Sequence, residues 1–206
     1  MIWFTSDQHF FHEKVIHFDQ RPFKDMTEMH EALISNYNKV VKPGDTCYFL
    51  GDVGMGSQKE TKELLSRLEP KAIKILISGN HDHNPTWMRA AGFAVVLNSA
   101  SMIVSKQLLT MSHYPLLGIK SENTEGMKKA VLGENFHGEH RYSKIAIQNH
   151  AGFHCHGHIH ANGTKINGHQ YNVGVMHNDY SPVSIKTIDQ WVQRTLAKEI
   201  KNAGTI

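Results

Sequence analysis

The residues of this chain best equipped for chemistry are aspartates, histidines and one asparagine, set in short and widely separated clusters. Asp7 and His9 stand two apart in "SDQHF", and Asp52 directly follows "YFLG". Asn80, His81 and Asp82 run together in "SGNHD", and His113 stands alone in "MSHYP". His158 and His160 close "GFHCHGHIH", a stretch with four histidines in nine residues. Oxygen and nitrogen donors without thiolate suit manganese, iron, zinc or nickel in an open, hydrolytic geometry better than a closed structural zinc site. Ligands two residues apart, as in Asp7/His9 and His158/His160, face the same way when the backbone is extended.

Each cluster falls where an apolar run stops. "IWFTSD", "TCYFLGD" and "AIKILISGNHD" read as three buried strands ending in polar loops. "TEMHEALISNYNKVV", with Thr27 as its cap, and "QKETKELLSRLEP", closed by Pro70, carry apolar residues at helical spacing between them. Alternating strand, loop and helix predicts an α/β fold with parallel strands, whose ligands sit at the carboxyl ends of strands. "PTWMRAAG" reads as a short helix, and "FAVVL", "SMIVSK" and "QLLTMSHYP" as consecutive strands at hairpin-type spacing. Residues 118–144 are polar and weakly periodic, an excursion for which a functional lid and a disordered insertion both stay open. "IAIQNH" ends a helical segment, and "GFHCHGHIH" is a strand running into a loop. A hairpin around Asn167-Gly168, a last strand in "PVSIKTI" and an amphipathic helix in "DQWVQRTLAKEIKN" complete the chain.

A length of 206 residues predicts a single domain spanning 1–206. With 40% hydrophobic and 20% charged residues, the composition is that of a globular protein rather than a disordered or membrane one. A net charge of +3 leans weakly toward an anionic ligand and does not by itself indicate nucleic acid. Cys47 and Cys155 form no disulfide framework, which predicts a reducing, cytoplasmic setting. No stretch approaches the roughly 20 apolar residues of a membrane span, so no membrane partner is expected. "MIWFTSDQHF" lacks the basic start of a signal peptide.

Taken in order, D-x-H at Asp7 to His9, G-D at Gly51 to Asp52, G-N-H-D at Gly79 to Asp82, His113, and G-H-x-H at Gly157 to His160 resemble the calcineurin-like metallophosphoesterase superfamily. The short layout, with "HFFHEKVIHFDQRPF" after the first motif, is similar to its small bacterial and phage phosphodiesterase-like branch. The resemblance implies two β-sheets packed as a sandwich and flanked by helices (α/β/β/α), with a dinuclear metal centre. It makes Asp7, His9, Asp52 and His160 ligands of one ion and Asp52, Asn80, His113 and His158 ligands of the other, with Asp52 bridging. Manganese is the first expectation for both ions, with iron, zinc or nickel as alternatives. Two such ions clamp a phosphate and lower the pKa of a shared water. His81 is implied as the group that stabilises the phosphate and protonates the leaving oxygen, with Asp82 a candidate to orient its ring. The chain departs from the protein-phosphatase pattern: "GDVGMGS" has Met55 where a second aspartate would stand, and Asp82 replaces a glutamate.

His156 shares the parity of His158 and His160 and reads as a supporting or core histidine, while His154 reads as packed or exposed on the sheet. Asn80, His12 and Arg21 are candidate substrate contacts, arginine because its fork matches phosphate oxygens. His83 and the group His137, His140 and Arg141 are weaker ones, and Phe10 and Phe11 are candidates to stack a base. The function expected is hydrolysis of a phosphodiester or phosphomonoester, of a nucleotide-like small molecule. The alternatives are a nuclease on single-stranded or short nucleic acid, and a non-catalytic scaffold of the same fold that binds a protein partner.

Overall fold

A computed structural model describes residues 1–116, 152–160 and 164–204, and all structural statements concern these residues. The excursion at 118–144, with His137, His140 and Arg141, and the segment "IAIQNH" lie outside them.

The architecture is mixed α/β, with two five-stranded mixed sheets and helices. Strands β1 (Ile2–Thr5), β2 (Thr46–Phe49), β3 (Ile73–Ile77) and β4 (Val95–Leu97) run parallel to one another, and β10 (Val183–Ser184) pairs antiparallel with β1. The second sheet has the order β5 (Ala100–Val104), β6 (Gln107–Met111), β7 (Phe153–His156), β9 (Gln170–Asn172), β8 (Ile166–Asn167). Its three central strands are parallel and its two edges antiparallel.

Two apolar clusters hold these layers. On one face of the first sheet, Cys47, Phe49 and Leu76 pack with Met29, Leu33 and Tyr37 of α2 (Met26–Val40), Leu64 and Leu65 of α3 (Gln58–Arg67), and Met88 of α4 (Pro85–Ala91). Val15 and Ile16 of the short helix α1 (Lys14–Phe18) join this cluster. The second cluster joins the two sheets: Phe4, Leu50 and Ile77 meet Leu109, Met111, Phe153 and Cys155. Ile188, Trp191 and Val192 of the last helix, α5 (Ile185–Ala203), seal it. Burying large side chains of this kind contributes roughly 1.5–3 kcal/mol each before conformational entropy is set against it.

Local signals place the helices, in part where the sequence reading put them. Ser57 and Glu60 form a capping box at the start of α3, and Asn84 with Pro85 opens α4. Thr27 is not the cap of α2: Asp25 accepts from the Glu28 amide, and the Glu28 carboxylate reaches back to the Lys24 amide. "PVSIKTI" is a strand only over Val183–Ser184, because Ser184 caps α5 and its apolar residues then follow helical spacing. Of the strands expected as consecutive hairpins, only β5 and β6 form one, across Ser105 and Lys106 at φ 48° and 63°, while β4 crosses to the first sheet. The hairpin of β8 and β9 is present, and Gly168 supplies its positive φ of 57°.

Candidate metal centre

The clusters read from the sequence follow the carboxyl ends of β1, β2, β3, β6 and β7. The first two loops are zipped together by Asp7 N–H to Gly51 O (3.0 Å), His9 N–H to Asp52 O (3.1 Å) and Phe10 N–H to Val53 O (2.9 Å). Asp82 fastens the third: its carboxylate accepts from the amides of Asp52 (2.9 Å), Val53 (2.9 Å) and Gly79 (2.8 Å). Asp82 is thus a clamp between loops and not the partner that orients the His81 ring. A Cβ on Gly157 would run into Ser6 and the Asp7 carboxylate, and one on Gly79 into Asp52, so these glycines let the backbone close on buried acids.

Backbone strain concentrates here. Asp7, His9, Asp52, His158 and His160 adopt φ values of 60°, 52°, 57°, 71° and 44°. Each such left-handed residue costs of order 1 kcal/mol, and clusters of them persist where the surroundings over-determine the geometry. What the strain achieves is convergence: one donor atom each from Asp7, His9, Asp52 and His160 falls within 4.8 Å of the others, and the same holds for Asp52, His113 and His158. Asp52 belongs to both groups. Its Oδ2 lies 3.6 Å from His9 Nε2 and 3.4 Å from His113 Nε2. Asn80 Oδ1 stands 3.1 Å from His113 Nε2, which brings the asparagine to the second group.

The donor set fits divalent cations. His9 Nε2 faces His160 Nε2 at 3.1 Å, and His158 Nδ1 faces His113 Nε2 at 3.2 Å. Pairs of imidazole nitrogens aimed at each other beside buried carboxylates are the geometry of lone pairs sharing a cation. The far nitrogens are committed elsewhere: His113 Nδ1 to Leu50 O at 2.7 Å and His160 Nδ1 to Asp19 Oδ2 at 2.8 Å. Such bonds fix the tautomer and turn the Nε2 lone pair inward.

The electrostatics follow from this crowding of buried carboxylates and imidazoles. Burial works to raise Asp52, yet His113 and His9 outweigh it and hold its carboxyl well below the usual range. Burial works to lower His113, but Asp52 and then Asp7 push it up to about 9. His9, dominated by burial, is pushed down to about 2 and stays neutral. Burial raises Asp7.

The remaining expectations divide. His81 is exposed at the rim; its amide donates to Asp52 Oδ1 (3.0 Å) and its ring lies 5.4 Å from that of His9. His12 is half-buried beside it, with Nδ1 3.3 Å from His9 Nδ1. Arg21, in contrast, is turned inward and 4% exposed. Its guanidinium donates to Asp7 O, Gln8 O and Asp19, so it braces the first loop and is not a substrate contact. Phe10 is buried, and Phe11 packs against the core and the His30 ring, so neither offers a face to a base. His154 and His156 are both buried, the first among Thr110, Ser112 and Tyr114. His156 Nδ1 stays on Gly157 O, 2.8 Å away.

The sequence reading missed Asp19, which carries both His160 and Arg21. It stands between Phe18 and "QRP" with no motif around it. The one available signal was its position on the segment that follows the first motif.

No family model matches the chain. Over 83 residues, 39% of this chain and 46% of the relative, it is 42% identical to an uncharacterized protein of Methanocaldococcus jannaschii. Over 82 residues, 39% of each, it is 37% identical to the Gene 66 protein of Mycobacterium phage L5. The chain spans less than half the length of the curated relatives it matches. Among solved structures, a protein of unknown function from Aquifex aeolicus is similar with a TM-score of 0.63 and 25% identity, covering 93% of this chain and 99% of that one. Yfce, a phosphoesterase from E. coli, gives a TM-score of 0.43 at 16% identity, over 84% of this chain and 77% of its own.

Proposed function

We propose that this chain is a metal-dependent phosphoesterase of the calcineurin-like kind, with its two sheets as the sandwich core. Its substrate is a phosphodiester or phosphomonoester of a nucleotide-like small molecule. The observation that carries the reading is the pair of donor groups sharing Asp52. Asp7, His9, Asp52 and His160 would hold one divalent ion, and Asp52, Asn80, His113 and His158 a second, manganese being the first choice. Ions bound there supply Lewis acidity toward a phosphoryl oxygen and lower the pKa of water.

The chain's own residues do the rest. Asp52, kept ionised by His113 and His9, supplies the negative charge that both groups share. His81 stands on the rim with its backbone tied to Asp52, where its imidazole reaches an ester oxygen and gives that oxygen a proton as it departs. His12, between His9 and the rim, contacts the phosphate or its substituent. The buried, unpaired Cys47 and Cys155 agree with a reducing, cytoplasmic compartment. Among the described residues no helix is long and apolar enough to cross a membrane.

The test is hydrolysis of bis-p-nitrophenyl phosphate and p-nitrophenyl phosphate by metal-stripped protein, re-supplied in turn with manganese, nickel, zinc and magnesium. Turnover restored by a transition metal supports the reading. No turnover with any ion, in protein shown to bind two, would overturn it in favour of the non-catalytic scaffold.

A further inference from the structure

Most apolar side chains near the metal centre are spent on packing, and Phe18 is not. It ends α1, whose Val15 and Ile16 are buried, yet Phe18 itself is 59% exposed. It is the one aromatic residue among the exposed large hydrophobic side chains of the described residues. Its ring centroid lies 5.9 Å from that of His160, tilted by 39°, and 5.6 Å from that of His12, edge-on at 62°. The phenyl ring therefore borders one candidate ligand and one rim residue at once.

Its position is built. The next residue, Asp19, bonds His160 Nδ1 at 2.8 Å and Arg21 at 3.0 Å, and Arg21 in turn holds the Asp7 carbonyl. The same framework that orients a ligand thus fixes the backbone of Phe18, so ring and donor group keep a set separation. His83 and Trp87, by contrast, stack on each other at 4.0 Å and 29°, so the faces they turn to each other are already paired. An exposed ring held rigidly beside an anion-binding centre is suited to stack a planar group attached to a bound phosphate.

We infer that Phe18 is a specificity-determining platform that stacks the nucleobase, or an equivalent planar group, of the phosphate ester held at the metal centre. The inference rests on the proposed function and sharpens its substrate class to esters carrying a planar aromatic group. No bond is made or broken by Phe18; its contribution is to binding and orientation.

The test is titration calorimetry on manganese-loaded protein with inorganic phosphate, ribose 5-phosphate and adenosine 5′-monophosphate, the last carrying adenine where the second has its anomeric hydroxyl. Stacking on one aromatic side chain predicts that the base tightens binding roughly 5- to 150-fold. That advantage should persist in Phe18→Trp and collapse in Phe18→Ala, with phosphate affinity unchanged in both. Phe18→Leu, which keeps an apolar side chain without a π-face, should lose most of it. Phosphate binding with no advantage from the base in wild type, or an advantage that survives in Phe18→Ala, would overturn the inference and leave the proposed function standing. Failure of the loaded protein to bind phosphate at all would overturn both.

Discussion

At the scale of single residues, the candidate centre separates the donor side chains that converge from those that hold them in place. Asp19 is in the second group, since its carboxylate fixes the His160 ring without belonging to either donor group. Replacing such a partner costs about 10- to 100-fold in metal affinity. Asp19→Asn should weaken manganese binding by that factor while the fold survives, as read by competition with a fluorescent chelator; unchanged affinity would show that the bond is incidental. His81 calls for a different measurement. His81→Ala should leave metal content intact and slow esters with basic leaving groups more than activated ones, because an acid matters most where the departing oxygen is basic. Equal slowing of both would count against the acid role. The donor groups that converge were readable from residue type, order and spacing. Arg21 and Asp82 were misread because their chemistry is common to substrate contacts and to loop clamps, and only their hydrogen bonds distinguish the two.

At the scale of elements, the strand-to-loop junctions carry the geometry. Gly157→Ala would press a methyl group against Ser6 and the Asp7 carboxylate. Overpacking of this kind costs about 1–3 kcal/mol, so thermal unfolding should show that loss, together with weakened metal binding because Asp7 must move. Loss of stability with metal affinity intact would mean that the loop adapts without disturbing the ligand.

The helix beneath the first loop adds a pH dependence. His30 on α2 accepts the Phe11 amide at 2.9 Å through Nε2, and burial lowers its pKa. The unfolded chain therefore takes up a proton near pH 6.5 that the folded form resists. Stability from this group is complete above that value and falls as the pH drops below it. His30→Gln, which offers an acceptor that does not titrate, should flatten the acid side of the melting-temperature profile; an unchanged profile would show that His30 does not set the acid limit of stability. Strand positions were legible because short apolar runs ended on polar clusters. The assignment of β4 to the first sheet was not, since local pattern says nothing about which distant strand supplies the pairing.

At the scale of the whole molecule, the fold brings five strand ends from two sheets to one place, where Asp52 is common to both donor groups. That convergence was legible as an α/β pattern with ligands after strands, whereas the path of the chain between β6 and β7 was not, because residues 118–144 carry no clear period. We propose that the site holds two ions and that Asp52 is shared by both. Equilibrium dialysis of metal-stripped protein against manganese, with bound metal counted by mass spectrometry, tests it directly. Two ions per chain in wild type, and loss of both in a folded Asp52→Asn variant, is the predicted result. A single ion in wild type, or two retained in Asp52→Asn, would contradict it.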